Sequence, residues 1–438
     1  MHLLTGKSAL QALRMLRCRH FDGSGATLAA RKFPRRLWYC DLPAPSVWLP
    51  TDRDDSKERD GSKEHAAHEA LPAIHEGSDR PKNKLIDQNK PIDCADEAFE
   101  KALGRTLEDV HFPFGDAEAN RRIDDSRYPL EGIVEKGLPL ELGVFDLRAH
   151  TQYPTLATRV LQRDLPACGL IRLDADLYCA SPELVLCQLA RDTEMEKLAQ
   201  LAMELCGRYS MCPSAGEGER TCEFDCAPVT SVERIYAFQR RVRRLRGRAK
   251  LEEALRYALN ASASPGESTL ALMMTLPADL GGYGLAGACC NAELEVPLSE
   301  RGHVGQSSYE LDLFWQRWMV DLEYESAEFH LDPFGYDPLL EGMDADDIEA
   351  WRRRRMADAE RDRRRMRDIA QLGVCVVPVM PADIASRERL DQVGWSIARN
   401  AERRGNPALV EQMSLLGDVS YRAARTGLLD SLRDCQGW

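Results

Sequence analysis

Two short alternating runs, separated by four residues, place the strongest constraint on the fold of this chain. Apolar residues occupy every second position of the run 309–315, and Val320, Leu322 and Tyr324 repeat the pattern. Successive side chains of a strand point to opposite faces, so both runs predict strands with one apolar face. The intervening residues 316–319 can join the two strands directly. The sequence therefore predicts an antiparallel hairpin, whose first strand has the apolar face Tyr309, Leu311, Leu313 and Trp315.

The opposite faces of the two predicted strands carry carboxylates. Antiparallel pairing sets Asp312 and Glu323 about opposite each other, roughly 5.5 Å apart at Cα. Facing like charges destabilise a sheet, and a divalent cation would make them tolerable. Oxygen ligands favour Mg²⁺ or Mn²⁺ over zinc, and such an ion activates water for phosphodiester hydrolysis. A solvent-facing acidic edge of the hairpin is the alternative interpretation.

The order of the acidic residues resembles a family of endonucleases. Glu267 at the start of a helix and Asp312 in a first strand are two of the matching positions. Glu323-x-Glu325 in a second strand and His330 shortly after complete the set. This order is similar to the vsr-like endonuclease domain of unknown function in the PD-(D/E)XK nuclease superfamily. The later segment 362–379, which reads as a helix and a strand, continues the resemblance.

The resemblance implies a fold and a set of roles. The fold class would be α/β, with a PD-(D/E)XK-like nuclease core in which helices flank a mixed sheet. Asp312 and Glu323, with the carbonyl of Tyr324, would hold Mg²⁺ (or Mn²⁺). Glu267 would act through water, and His330 would orient or deprotonate the attacking water. The implied activity is hydrolysis of phosphodiester bonds in nucleic acid, with DNA as the expected partner.

Two residues keep other interpretations open. Glu325 stands where the superfamily often has lysine, and a carboxylate there adds negative charge instead of supporting the attacking water. Glu267 is the third residue after Ser264, so a capping box explains it as well as metal support does. The alternative function is therefore a catalytically inactive nucleic-acid-binding or toxin-antitoxin-type regulatory protein with a nuclease-like fold.

Charge and composition limit the class of protein. A net charge of -13 over 438 residues argues against a general nucleic-acid coat. The basic runs 240–248 and 352–355 could meet phosphates, with solvated helix faces as the alternative. No run approaches the roughly 20 apolar residues of a membrane span. The first twenty residues lack a secretory signal, so we expect reduced cysteines and a cytoplasmic location.

The composition also divides the chain into segments. We expect an N-terminal arm over 1–50 and a charged, disordered insert over 51–135, because the insert has too few apolar residues to pack. A smaller mixed, mainly helical middle domain is expected over 136–262. The nuclease-like domain spans 263–384, and a helical tail spans 385–438.

The middle segment has its own signals. Apolar runs predict strands over 138–147 and 170–178, and Ser181-Pro182-Glu183 opens a helix with a serine N-cap. This helix after a short strand resembles the C-terminal region of abortive-infection type IV antitoxins, which implies a protein partner for the middle domain. Four cysteines lie within 21 residues here, but their spacing lacks the two-residue zinc knuckle, so we predict free thiols. They are Cys206, Cys212, Cys222 and Cys226.

Overall fold

The computed structural model of the chain describes residues 2–18, 36–39, 47–48, 85–86, 99–109, 139–150, 152–153, 156–172, 177–212, 222–242, 246–325, 345–404 and 416–433. The strands are β1 (His2–Leu4), β2 (Arg36–Tyr39), β3 (Val47–Trp48), β4 (Leu85–Ile86), β5 (Leu140–Val144), β6 (Gln152–Tyr153), β7 (Leu156–Val160), β8 (Leu170–Arg172), β9 (Leu177–Ala180), β10 (Ser210–Met211), β11 (Cys222–Glu223), β12 (Cys289–Glu295), β13 (Ser308–Trp315), β14 (Val320–Tyr324) and β15 (Cys375–Val379).

The α-helices referred to below are α1 (Gly6–Arg17), α2 (Pro182–Leu189), α3 (Met195–Cys206), α4 (Val232–Arg241), α5 (Arg248–Leu255), α6 (Pro265–Thr275), α7 (Ala345–Gln371), α8 (Pro381–Ile384), α9 (Arg387–Arg403) and α10 (Arg422–Arg433). The protein is thus of the α/β class, as predicted. Each of the two larger sheets contains both parallel and antiparallel strand pairs.

The larger sheet unites the N-terminal and middle segments. Its eight strands follow the order β3-β2-β8-β9-β1-β5-β7-β6, so β1 lies inside the sheet, parallel to β9 and antiparallel to β5. Leu3 and Leu4 are buried there. The structure differs from the expectation of a separate N-terminal arm, because β1 and α1 share this sheet and its core. It also gives the middle segment a substantial sheet beside its predicted helices.

A buried ion pair fixes α1 against the middle segment. Arg14 on α1 donates from Nε and Nη2 to the carboxylate of Glu204 on α3, at 2.8 and 2.7 Å. Both side chains are only 4% exposed. Arg17, one turn later, donates to the carbonyls of Glu204 and Gly207 at 2.8 Å and so caps the C-terminus of α3.

Two sequence expectations in this half need correction. The run 170–178 is not one strand: β8 and β9 pair antiparallel, and the four residues between them lie outside the described part. Residues 99–109, which fell within the expected disordered insert, are packed. Phe99, Ala102 and Leu103 have helical spacing and are buried, because together they form one apolar helix face. The remainder of 51–135, except for β4, lies outside the described residues.

The smaller sheet follows in the C-terminal half, with the strand order β15-β14-β13-β12-β4. β12, β13 and β14 are antiparallel neighbours, and β15 returns parallel to β14 after the long helix α7. α6 precedes these strands, so the chain runs helix, three strands, helix, strand. The predicted helix-strand-strand order and the helix and strand after it are confirmed, and β12 is an additional strand between α6 and β13.

The apolar residues of β13 do not all pack in one place. Tyr309 and Leu311 belong to a small apolar cluster, whereas Leu313 and Trp315 belong to the large core. The expectation that these four residues share one face is therefore wrong. Regular alternation would have kept them together, so the strand changes the direction of its side chains between Leu311 and Leu313.

The C-terminal helices complete the large core. Val393 and Ile397 of α9 and Leu428 and Leu432 of α10 are buried in it, and their spacing places each pair on one helix face. The same core includes residues of α1, α3 and α6, so it links both sheets. Within the described ranges, no helix combines the length and apolar character that crossing a membrane requires.

Candidate functional site

Asp312 and Glu323 are neighbours where the pairing of β13 and β14 ends. The ladder closes with Leu313 opposite Leu322, so the next residues along each strand, Asp312 and Glu323, come opposite each other. The Tyr324 amide donates a hydrogen bond to Asp312 Oδ2 at 2.8 Å. The predicted antiparallel register is confirmed. Two carboxylates of adjacent strands therefore meet at this position.

β12 is distorted beside Asp312. Asn291, which the register places next to Asp312, has φ of +47°, a left-handed conformation that asparagine tolerates better than most residues. Its side-chain amide donates to the Ala261 carbonyl at 2.9 Å and to Glu267 Oε2 at 2.8 Å. Local breaks of this kind redirect side chains and are frequent beside functional sites. Here the break connects α6 to the carboxylates of β13 and β14.

Glu267 occupies the first turn of α6, and hydrogen bonds saturate its carboxylate. Ser264 is the N-cap and accepts from the Glu267 amide at 3.1 Å, while its hydroxyl donates to Glu267 Oε1 at 2.9 Å. Oε2 accepts from the Ala263 amide and from Asn291, both at 2.8 Å. The structure confirms Ser264 as the N-cap, but the Glu267 carboxylate accepts from the amide of Ala263, the residue before the N-cap, where the predicted capping box would have it accept from the Ser264 amide. The structure adds a direct link to β12.

Gly266 allows α6 to approach the smaller sheet closely. A Cβ atom built on Gly266 would lie 2.5 Å from the Tyr324 ring on β14. Any larger residue would have to separate the helix from the strand. The close contact places Glu267 near Asp312, since the charge of Glu267 is among the causes that raise the pKa of Asp312.

Asp321 belongs to the same group, and sequence reasoning missed it. It is 0% exposed on β14, and its carboxyl lies within hydrogen-bonding reach of the Glu323 carboxyl. It lies two residues before Glu323, on the same strand face by alternation. The sequence offers one signal for Asp321, its position between the apolar residues Val320 and Leu322. If the strand is buried on both faces, an aspartate at this position is buried as well.

Two arginines approach the carboxylates. The guanidinium of Arg365 on α7 contacts both oxygens of Glu323 through Nη1 and Nη2, and Nη2 also contacts the Glu310 carbonyl. Arg208 donates to Glu310 Oε1 and Oε2 at 2.5 and 3.0 Å, and to Asn291 Oδ1 at 3.3 Å. These hydrogen bonds go to Glu323, Glu310 and Asn291, and Arg365 acts on Asp321 through its charge.

The electrostatics follow from burial and crowding. Burial raises the pKa of Asp312 well above its ordinary value, and the charges of Glu323 and Glu267 raise it further. Burial also raises the pKa of Asp321, followed by a side-chain hydrogen bond with Glu323 and by the charges of Glu323 and Asp312. Burial raises the pKa of Glu267 too, although its three hydrogen bonds oppose the shift. Several carboxyl groups with strongly raised pKa values in one place are typical of functional sites.

The other predicted site residues are less informative. Glu325 follows β14 directly, and its amide donates to the Val379 carbonyl at 2.9 Å. His330 lies outside the described residues. Across the described ranges, no group of three or more His, Cys, Asp or Glu side chains is arranged to hold a metal ion. Cys212, one of the cysteines predicted as free thiols, lies 3.8 Å from Cys18 between the sulfur atoms.

Comparisons of the chain with family models, with curated proteins and with solved structures find no match.

The hydrogen bonds of Glu267 lead to a first prediction. We expect Glu267→Gln to keep the fold, with a change in the free energy of unfolding below about 1 kcal/mol, because a glutamine oxygen can still accept from Ala263 and Asn291. Glu267→Ala should cost about 0.5–2 kcal/mol because the cap is lost. Chemical denaturation measures both changes. If Glu267→Gln lowered the free energy of unfolding as much as Glu267→Ala does, the negative charge of Glu267 itself would be required for stability.

The raised pKa values predict an unusual pH dependence of stability. Asp312 and Asp321 have higher pKa values in the folded than in the unfolded protein. From about pH 4 upward, the folded protein therefore binds more protons than the unfolded protein does. The free energy of unfolding falls as the pH rises from about 4 towards the raised pKa values. Asp321→Asn should remove its share of this fall. We therefore expect the free energy of unfolding of Asp321→Asn, relative to that of wild type, to be higher at pH 8 than at pH 4. Urea titrations with chelator present measure both values.

Glu295→Gln, a carboxylate change on β12 outside this group, is the matched control and should show no such gain. A stability difference between Asp321→Asn and wild type that is the same at both pH values would contradict the prediction.

Proposed function

We propose that this protein is a metal-dependent nuclease that hydrolyses phosphodiester bonds in nucleic acid, with DNA as the expected substrate. The observation that carries the proposal is the meeting of Glu267, Asp312 and Glu323, which are far apart in sequence, around the end of the β13–β14 ladder. Grouped carboxylates are costly for a fold. Their presence at one position is better explained by chemistry than by stability.

The element order supports a PD-(D/E)XK-like core. A helix carrying Glu267 is followed by strands carrying Asp312 and Glu323, then by a helix carrying Arg365 and a final strand. This is the order in which the sequence resemblance assigns the same residues. Helices also flank a mixed sheet, as the resemblance implies.

The chemistry of the donor set agrees with a hard cation. Asp312 and Asp321 offer buried carboxylate oxygens, the kind of donor that Mg²⁺ and Mn²⁺ prefer. Glu323 fits only when Arg365 releases it, since the guanidinium contacts both of its oxygens. When bound, Mg²⁺ or Mn²⁺ supplies polarisation of the phosphoryl oxygen and lowers the pKa of water.

The protein's own groups have distinct roles in this proposal. Asp312 and Glu323, with the Tyr324 carbonyl, would hold the ion, and the Tyr324 amide fixes the orientation of Asp312. Glu267 positions Asn291 and the start of α6 and acts on the site through water. His330 orients or deprotonates the attacking water.

Exposed arginines would contact the phosphates of the substrate. Arg353 and Arg354 of the basic run 352–355 are exposed on α7, the same helix that carries Arg365. Guanidinium groups bind phosphate oxygens without regard to sequence. In the run 240–248, Arg240 and Arg241 are exposed at the end of α4.

We also propose a protein partner for the middle segment and a cytoplasmic location. The free thiols of the described cysteines support the location.

A second function is favoured by one observation. Arg365 neutralises Glu323 in the way a cation would, and Glu325 stands where lysine is frequent in the superfamily. Both features suit a catalytically inactive nucleic-acid-binding or toxin-antitoxin-type regulator that keeps a nuclease-like fold. This alternative predicts nucleic-acid binding without cleavage.

Cleavage assays separate the two functions. Wild-type protein is incubated with supercoiled plasmid and with single-stranded DNA and RNA, in Mg²⁺, in Mn²⁺ or in chelator. The nuclease proposal predicts cation-dependent nicking or cleavage of at least one substrate. Absence of cleavage in every combination, with Glu325→Lys also inactive and binding retained, would replace it by the regulator.

A further inference from the structure

Two thiols face each other where α1 ends. Cys18 is the C-cap residue of α1, and Cys212 directly follows β10. Their sulfur atoms lie 3.8 Å apart, and the two residues are 194 positions apart in the sequence, so the fold is what brings them together. A disulfide bond is about 2.05 Å long, so the two sulfur atoms need to approach each other by roughly 1.8 Å to form one.

Buried hydrogen bonds fix the backbone on both sides of this thiol pair. Glu204 Oε1 accepts from Arg14 Nε on α1 at 2.8 Å and from the Met211 amide of β10 at 3.1 Å. The same carboxylate therefore holds the helix that ends at Cys18 and the strand that ends before Cys212. Because the fold holds the two thiols as neighbours, their reaction is intramolecular and avoids the entropy cost of an encounter.

Two other thiols of this region point to backbone carbonyls. Cys222 on β11 donates to the carbonyl of the next residue at 3.5 Å, and Cys226 donates to the Arg17 carbonyl at 3.5 Å. Both residues are buried, at 6% and 8% exposure. The Cys18 thiol, in contrast, donates to Cys212 Sγ. Cys18 is therefore the thiol that is oriented towards Cys212.

The two thiols differ in their access to solvent. Cys18 is 3% exposed, whereas Cys212 is half-buried. The hydrogen bond to Cys212, together with burial, raises the pKa of Cys18, so this thiol keeps its proton at neutral pH. Oxidants react with accessible thiolates. Cys212 is therefore the sulfur that an oxidant reaches first, and Cys18 is the sulfur that reacts with the oxidised Cys212.

We propose that Cys212 and Cys18 form a reversible disulfide when the protein meets a hydroperoxide, and that this disulfide fastens α1 to the β10–β11 hairpin. In the first step the Cys212 sulfur attacks the peroxide, the O–O bond breaks, and Cys212 becomes a sulfenic acid while an alcohol or water leaves. The Cys18 sulfur then attacks the Cys212 sulfur, the S–O bond breaks, and water leaves with the Cys18 proton. The two thiols together lose two electrons, which the peroxide takes up.

A reversible disulfide agrees with the proposed cytoplasmic location. Thiols rest reduced in that compartment, and the disulfides that form there are transient or redox-sensing. A thiol reductant restores both cysteines by thiol–disulfide exchange. The thiol pair is separate from the proposed nuclease site, because β10 pairs with β11 in a small sheet of its own and α1 packs on the larger sheet.

Peptide mapping by mass spectrometry tests the proposal on the full chain. The reduced, folded protein is treated with hydrogen peroxide, remaining thiols are blocked with N-ethylmaleimide, and the protein is digested. We expect a linked pair of peptides that carry Cys18 and Cys212, lighter by two hydrogen atoms than the two reduced peptides together. Dithiothreitol added before the blocking step should remove this linked pair.

Three single variants test the order of the two steps. Cys18→Ala should leave Cys212 as a sulfenic acid, which dimedone traps, because the second thiol is missing. Cys212→Ala should leave Cys18 reduced, since the buried thiol does not meet the peroxide. Cys222→Ala, in the same hairpin, is the matched control and should form the disulfide as wild type does.

Thermal unfolding provides a second measurement. The disulfide joins residues 194 positions apart and so constrains a long loop of the unfolded chain. We expect the melting temperature of the peroxide-treated wild type to exceed that of the reduced protein by about 3 °C or more. Cys222→Ala should show the same rise, whereas Cys212→Ala should melt at the same temperature before and after peroxide.

Three results would overturn the inference. The first is that both thiols of the folded wild type remain reduced in peroxide. The second is a disulfide from Cys212 to Cys222, which would assign the second step to another thiol. The third is a link between Cys18 and Cys212 that forms only after the protein is unfolded in urea, because the folded geometry would then have no part in it. None of these results bears on nucleic-acid cleavage.

Discussion

Replacing Asp312 by asparagine is expected to reduce cation-dependent cleavage by about a thousandfold or more. A metal ion at a phosphoryl centre contributes several kcal/mol to transition-state stabilisation, and each 1.36 kcal/mol is a factor of ten in rate. Asp312 lies opposite Glu323 at the end of the β13–β14 ladder, so its loss would remove a ligand of the proposed cation. Single-turnover cleavage of an end-labelled substrate in Mn²⁺ measures the change.

The fold should survive this substitution. An asparagine oxygen can still accept the 2.8 Å hydrogen bond from the Tyr324 amide, and the repulsion by Glu323 is removed. We therefore expect equal or slightly higher stability in chelator. Glu295→Gln serves as the control for a carboxylate on the same sheet. Cleavage by Asp312→Asn at the wild-type rate would place the chemistry elsewhere in the chain.

Glu204→Gln should be the most destabilising polar substitution among those considered. It removes the charge that neutralises Arg14, and both side chains are only 4% exposed. Breaking a buried ion pair at one partner costs about 3–5 kcal/mol, because the other charge stays buried without compensation. Urea denaturation followed by circular dichroism measures the loss.

An exposed pair of the same kind provides the control for Glu204→Gln. Glu360 pairs with Arg364 on α7, and the two side chains are 72% and 60% exposed. Glu360→Gln should cost no more than about 0.5 kcal/mol. The double substitution Arg14→Met with Glu204→Gln should cost less than the two single changes added together, since no unpaired charge remains. Equal costs for Glu204→Gln and Glu360→Gln would mean that the buried pair does not hold α1 in place.

Local sequence patterns predicted much of the smaller sheet. The hairpin of β13 and β14, the capped start of α6 and the long helix α7 follow from alternation, an N-cap and helical spacing, which act over a few residues. The position of Asp312 opposite Glu323 could be predicted because the short connection between the two strands fixes their register. These features depend on neighbours in the chain, and the sequence therefore contains them directly.

Long-range pairing explains what the sequence did not predict. β1 is only three residues long, and nothing in its composition indicates that it enters the larger sheet between β9 and β5. The change of face along β13 occurs beside Asn291, whose left-handed conformation lies in another strand. Asp321 was missed because its burial results from packing on both sides of β14, whereas alternation suggested a solvated acidic face.

The role of Arg365 was missed for a similar reason. It stands in a helix rich in arginine, and the resemblance that includes it assigns it no contact with Glu323. Only the return of α7 across the sheet brings its guanidinium to Glu323. Which arginine pairs with a buried carboxylate is decided by tertiary packing, so a sequence pattern could indicate a charged helix but not this contact.

The most direct test of the account is the rate of DNA cleavage by wild-type protein as a function of Mn²⁺ concentration. The account predicts no cleavage in chelator and a rate that rises and saturates over the concentrations at which Mn²⁺ binds in calorimetry. Asp312→Asn, measured in parallel, should stay at the chelator rate throughout. A wild-type rate that remains at the chelator level at every Mn²⁺ concentration, or that Asp312→Asn reproduces, would contradict the proposal that these carboxylates form a metal-dependent nuclease site.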